Sequence, residues 1–314
     1  MLGRTAASLF WMSRYIERAE NIARLIEVGY RVSLVPDFGA GHREDWRSTL
    51  IAAGCLPAYE ARHGAIATAP VVNFLLFDRA HASSVLSCLE NARNNARSVR
   101  TALTGEMWEA LNATWNAFSA IDPASLGPGR LPDVLDWVRQ QSGLFRGAMI
   151  GTLLRDEGYH FAQLGTFIER GDNTARIVDV KYNVLLPSNN AVGGDRNLHQ
   201  LETILRSVGA HRSYRHFYRD SYRPLNVADF LIARPEMPRS LRFCSGWAHG
   251  SVQALARMTQ GGARSLELST AANRDIEAAE VDALFRTGLH GFLIDFLDCN
   301  AGLSDTLADD FNFV

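Results

Sequence analysis

The sequence predicts an all-α fold, a helical bundle built from two tandem-duplicated halves related by an approximate two-fold axis. Three observations predict it. Apolar residues recur at spacings of three and four along most of the chain, strand-like alternation is almost absent, and the first half is echoed in the second. A chain of 314 residues with 47% hydrophobic side chains has enough apolar surface for one large core or two smaller ones.

The elements follow in order. Residues 5–34 carry Leu9, Met12, Ile16, Ala19, Ala23 and Ile26 on one stripe, which predicts a long first helix stopped by Pro36-Asp37-Phe38-Gly39. Residues 44–53 read as a second helix closed near Gly54 and Pro57, residues 58–66 as a short third one, and Pro70 opens a fourth element. Residues 83–103 form a longer amphipathic helix. Thr104, followed by Glu106 and Glu109, caps the next, which runs to about Ile121. A Gly- and Pro-rich loop follows, and Pro132-Asp133 restarts a long helix. In the second half, helices are expected over residues 158–186, 196–209, 211–220, 239–259, 275–288 and 289–307, with 188–194 as a loop.

Residues 15–28 read YIERAENIARLIEV and residues 167–180 read FIERGDNTARIVDV. Seven of the fourteen pairs are identical, and most of the others are close exchanges. The match continues downstream: Trp46, Leu50, Gly54 and Tyr59 meet Leu201, Leu205, Gly209 and Tyr214, while Phe74, Ser84 and Cys88 meet Phe230, Ser240 and Cys244. Matches in the same order, drifting by loop-sized offsets, predict tandem duplication, with halves at 1–150 and 151–314 packed as one compact unit.

The repeated motif holds the candidate functional residues. On a helix Glu17, Glu20, Asn21 and Arg24 share one face, as do Glu169, Asp172, Asn173 and Arg176, while Arg18 and Arg170 point to a flank. Glu20 with Arg24, and Asp172 with Arg176, are acid-before-base pairs four residues apart. Exposed, such a pair contributes only about 0.3–0.5 kcal/mol. Three readings follow: a buried ion-pair and amide network that fixes a helix crossing, a polar cleft for a carboxylate, phosphate or amine, or a solvated face.

A metal is not expected, because an arginine stands beside the first acid of each Glu-x-x-Glu or Glu-x-x-Asp motif and the histidines are scattered. Cys88 and Cys244 read as small core residues rather than nucleophiles. No G-x-S-x-G, P-loop or zincin pattern is present, and Gly261-Gly262 reads as a helix break. The stretch 206–223, RSVGAHRSYRHFYRDSYR, is basic and aromatic. It reads first as a solvated helix face with tyrosines beneath, otherwise as a contact for RNA or an acidic protein.

Charge and composition exclude other classes. With 32 Lys+Arg against 34 Asp+Glu, the net charge is −2, so no overall basic field attracts nucleic acid or an anionic membrane. No apolar run reaches the roughly 18 residues of a membrane span. Arg14 and Glu17 come too early for a signal peptide, and four widely spaced cysteines fit a reducing cytoplasm.

These motifs carry a resemblance. YIERAEN preceded by MLGRTAASLFWMSR, and FIERGDNTAR after LLRDEGYHF, resemble the two ER helices of the bacterial Alpha-E family, named for its α-helices and ER motif. Residues 74–78, 106–112 and 288–293 fit its pattern too. The resemblance implies that the ER positions here are Glu17, Arg18, Glu169 and Arg170. It also implies partnership with a circularly permuted ATP-grasp protein, often beside a transglutaminase-like peptidase, and a part in making or modifying a peptide or amide-linked product. No cofactor accompanies it. The expectation is therefore a helical accessory or co-catalytic subunit of an ATP-grasp type ligase. The alternative is a standalone enzyme with a central polar Glu/Arg cavity acting on amide or carboxylate substrates.

Overall fold

The computed structural model describes residues 1–34, 41–127, 129–180, 195–219 and 222–313. Its described residues form fifteen α-helices and two 3-10 turns, with no strand. The expected turn at 36–39, the 188–194 loop and the end of the helix drawn to 186 lie outside the described residues. Two compact units result, Met1–Glu169 with Phe311–Val314, and Arg170–Asp310.

In the first unit, α1 (Gly3–Ser33) is buried on several faces along its middle, carrying Leu9, Met12 and Ile26 but also Glu17, Glu20 and Asn21 into the interior. A helix covered on all sides is normally apolar. Its buried acids therefore require partners. Around it lie α2 (Gly41–Ala52), α3 (Leu56–Glu60), α4 (Thr68–Phe77), α5 (Val85–Ser98), α6 (Gly105–Ser119), α7 (Leu131–Thr152) and the first half of α8 (Glu157–Val180). Trp46, Tyr59, Phe74 and Phe118 fill the core between them; Tyr59 meets Phe74 edge-on at 5.2 Å, and Phe74 stacks on His81 at 4.3 Å. The polar contacts Ser8–Ser98 and Arg18–Ser83 run in opposite senses along the two segments, so α5 lies antiparallel to α1.

Local capping agrees with the sequence. Ser84 accepts from the Ser87 N–H to start α5, and Thr104 accepts from the Met107 N–H to start α6. Pro132 sits in the first turn of α7, where its missing N–H is not needed. The outward face of α7 holds Gly147, where an added Cβ meets nothing. Gly147→Ala is expected to stabilise the protein by about 0.5–1 kcal/mol, since it removes unfolded-state freedom without a clash. A higher urea midpoint would show it; a lower one would mean that the open space is occupied in solution.

The second unit continues α8 from Arg170 and adds α9 (Asp195–Ser207), α10 (His211–Tyr218), α11 (Pro224–Ile232), α12 (Leu241–Thr259), α13 (Ala263–Glu277), α14 (Val281–Thr287) and α15 (Leu289–Asp310). Two of these differ from expectation. The helix α11 was not foreseen: PLNVADFLI is a short, mostly apolar run of nine residues, which its length and composition do not separate from a buried strand. The helix expected at 275–288 is instead the end of α13 and all of α14. The chain breaks at residues 278–280, Ala-Ala-Glu, where neither Gly nor Pro marks a stop. The Gly261-Gly262 break is present, with Gln260 and Gly262 both at positive φ (54° and 75°).

Local features recur in the two units at repeat-matched positions. Gly54 and Gly209 end helices at φ 68° and 67°. Tyr59 and Tyr214 follow as fully buried rings, and Ser84 and Ser240 cap the next long helix in each unit.

Candidate functional site

The first ER motif lies inside the first unit, where its charges are matched by residues from three helices. Glu169, on α8, is 7% exposed. Its Oε2 accepts from Arg14 Nε at 2.9 Å and Arg18 Nη2 at 2.8 Å, and its Oε1 accepts from Arg18 Nε at 2.6 Å. Arg18 therefore grips the carboxylate with a two-pronged fork, while Arg14 closes the other side. Arg14 also lies over the Trp11 ring at 5.0 Å, and Arg18 over Tyr15 at 5.8 Å. Burial alone would raise the Glu169 pKa, but the guanidinia of Arg18 and Arg14 outweigh it and hold the carboxyl below its usual range.

A second cluster occupies the opposite flank of α1. Glu17 and Glu20 are 1% and 0% exposed. Arg146, from α7, donates through Nη1 to Glu17 Oε2 at 3.1 Å and lies 2.5 Å from Glu20 Oε2. Arg24 donates to Glu20 Oε1 through Nε and Nη2, at 3.0 and 2.8 Å. Two turns further along α1, Glu27 pairs with Arg139 of α7. Arg139 and Arg146 are seven residues apart, and so are Glu20 and Glu27, in opposite chain sense. These rungs set α7 antiparallel to α1.

Apart from Glu169, the second motif faces different partners, within the second unit. Arg170 donates to the Pro238 carbonyl at 3.3 Å, and Thr174 to that of Arg239 at 2.8 Å. Asp172 accepts from Asn300 at 3.1 Å and lies 3.6 Å from the half-exposed Arg176. Asn21 and Asn173 are both buried, and the Asn173 amide nitrogen has no hydrogen-bond partner among the described residues. A cavity of about 20 Å³ lies near Asn300 among Ser245, His249, Ser269 and Cys299, room for a water rather than a substrate.

The structure thus brings Arg18 and Glu169 together, and Glu17 with Glu20 and Arg24, in two buried clusters. It places Arg170, Asp172, Asn173 and Arg176 elsewhere, in the second unit. Arg18 is no flank bystander but the principal holder of Glu169. Sequence reasoning missed Arg14 and Arg146. Arg14 stands one turn before Arg18 on the same face, a cue that was available; Arg146 reaches its acids from 126 and 129 residues away, as the numbering of Glu20, Glu17 and Arg146 shows, and has no local signal.

Burial pushes the Cys55 and Cys88 thiols up to about 12, as suits inert core residues. Among the described residues no group of three or more His, Cys, Asp or Glu side chains is arranged to hold a metal ion, and no helix is long and apolar enough to cross a membrane.

Set against known proteins, residues 1–311 match the family model Alpha-E, described as a predicted alpha-helical domain with a conserved ER motif. No curated protein and no solved structure matches the chain.

Proposed function

Because this chain belongs to the Alpha-E family, we propose that it is a helical accessory or co-catalytic subunit that works in the cytoplasm with a circularly permuted ATP-grasp type ligase. The product would be a peptide or another amide-linked compound, with a transglutaminase-like peptidase as a further partner.

One observation supports the accessory role most directly. The carboxylates of the first ER cluster are engaged by arginines in the interior, with Glu169 gripped by Arg14 and Arg18 and held ionised. A general acid or base needs a proton near its operating pH and reach to a substrate, whereas a clamped carboxylate offers neither. The motif on this reading builds a rigid scaffold that another protein uses.

The same proposal takes the chain as two tandem halves, 1–150 and 151–314, copied from one ancestral unit and packed about an approximate two-fold. Its support is the repeat-matched turn glycines, buried tyrosines and capping serines.

The test is a ligase assay with Mg²⁺ and ATP, run with a circularly permuted ATP-grasp protein from the same genome, with and without this chain, alongside co-purification. Association together with a rise in amide-forming turnover of about tenfold or more is the expected result. Neither association nor a rate change would refute the proposal.

A further inference from the structure

We propose that the exposed face of α10 is a docking surface for an acidic segment of a partner protein, held by Arg212 and Arg215 on the helix and by Arg219 directly after it. The segment 206–223 carries five arginines against one aspartate in a chain whose net charge is −2. Arg212 and Arg215, three residues apart, share one side of the helix, and Arg219 follows directly after its end at φ 53°. All three are exposed, as is His216, while Phe217 lies on the other flank, packed on Phe230 at 5.9 Å and under the Arg234 guanidinium at 5.0 Å.

The opposite side of the helix is anchored. Tyr214 is fully buried and packs on Tyr218 at 4.8 Å, Tyr222 at 5.6 Å and Phe230 at 5.7 Å. His211 and Tyr222 are 2.5 Å apart, and Tyr218 donates to Asp229. The basic face therefore stands on a fixed platform, which lowers the ordering cost of binding.

Two acids near this face among the described residues are already engaged. Glu202 pairs with Arg206, and Asp229 takes both Tyr218 and Arg234. Among the described residues Arg212, Arg215 and Arg219 have no ion-pair partner. Relief of the helix dipole accounts for Arg215 and His216 in the last turn, but not for Arg212 in the first, where a positive charge is unfavourable.

The dimensions favour a protein over a nucleic acid. An eight-residue helix spans about 12 Å. Nucleic-acid binders spread cations over several phosphates and tend to a strongly basic domain, whereas this chain has a pI near 6.5. Three guanidinia within one short stretch match a short run of carboxylates.

Fluorescence anisotropy of a labelled peptide of alternating Glu and Ala, titrated with the full chain, tests the proposal. Binding should weaken between about 20 and about 200 mM NaCl. The variant R212E/R215E/R219N should lose about tenfold or more in affinity, with Asn chosen at 219 because that residue lies at φ 53°. The variant R97E/R257E/R286N makes the same change in net charge at scattered exposed positions and should bind within about twofold of the parent. Should the first variant melt early, the triple Arg→Gln variant replaces it under the same expectation. Equal losses in both variants, no binding by the parent, tighter binding of an oligothymidylate of equal charge, or a self-association that the peptide does not displace would each overturn the proposal.

Discussion

Glu169→Ala should destabilise the first unit by about 3–5 kcal/mol, because it leaves Arg14, 9% exposed, and most of Arg18 without the anion that balances them. The Arg18 side chain keeps 24% of its surface in solvent, which places the expected loss toward the lower end. Glu169→Gln should cost less, since an amide oxygen still accepts one hydrogen bond but carries no charge. For a unit of this size the Ala variant corresponds to a drop of about 6–15 °C in Tm.

The pH dependence follows from the direction of the shift. The folded pKa of Glu169 is depressed by its two arginines, while the unfolded carboxyl titrates near about 4.3. The contribution of the pair is therefore complete above that value and is lost as the pH falls through the lower, folded pKa. Urea unfolding of the wild type should show this acid limb, and Glu169→Gln should flatten it. Parallel stability curves for the two proteins below about pH 5 would show that the carboxylate is not held as described.

Gly165→Ala should rank next. At this point α8 crosses α1 so closely that an added Cβ overlaps the Phe10 carbonyl oxygen and lies 3.0 Å from the Phe10 carbonyl carbon and 3.2 Å from the Arg14 N. All three atoms are backbone, so no side chain can swing aside, and the helices must part. Overpacking of this kind costs about 1–3 kcal/mol, and here it also draws Arg14 away from Glu169. A thermal melt of Gly165→Ala unchanged from wild type would mean that the crossing is looser than this geometry. Gly147→Ala serves as its internal contrast, the same substitution in the same unit with the opposite expected sign.

Local signals in the sequence were read well, and distant ones were not. The Glu20–Arg24 pair, the Thr104 cap, the start of α7 at Pro132 and the break at Gly262 all depend on residues within one or two turns, and each is found where the spacing placed it. Arg146 escaped because nothing in α7 announces the acids that it meets across the chain. The helices α11 and α13 escaped for different reasons: one is a run of nine mostly apolar residues, too short to tell from a strand, and the other is polar, with ARSLELSTAANRDIE offering little stripe to follow. The motif was legible as a set of residue types. Its division between two buried clusters in the first unit and a separate set in the second was not, because that depends on which neighbours each helix acquires.

The rungs between α1 and α7 also act as an index mark. Sliding α7 one turn toward the end of α1 would carry Arg146 from Glu17 and Glu20 to Arg24, and Arg139 from Glu27 to Arg31, cation against cation at both places. Sliding it the other way would leave Arg146 beside Ile16 and Arg139 beside Ala23, with no counter-charge. Leucines at the same sites would pack nearly as well in any of the three positions. A redesign with an oily seam here could melt at a higher temperature and yet lose its single alignment, which is the property that the charged residues supply.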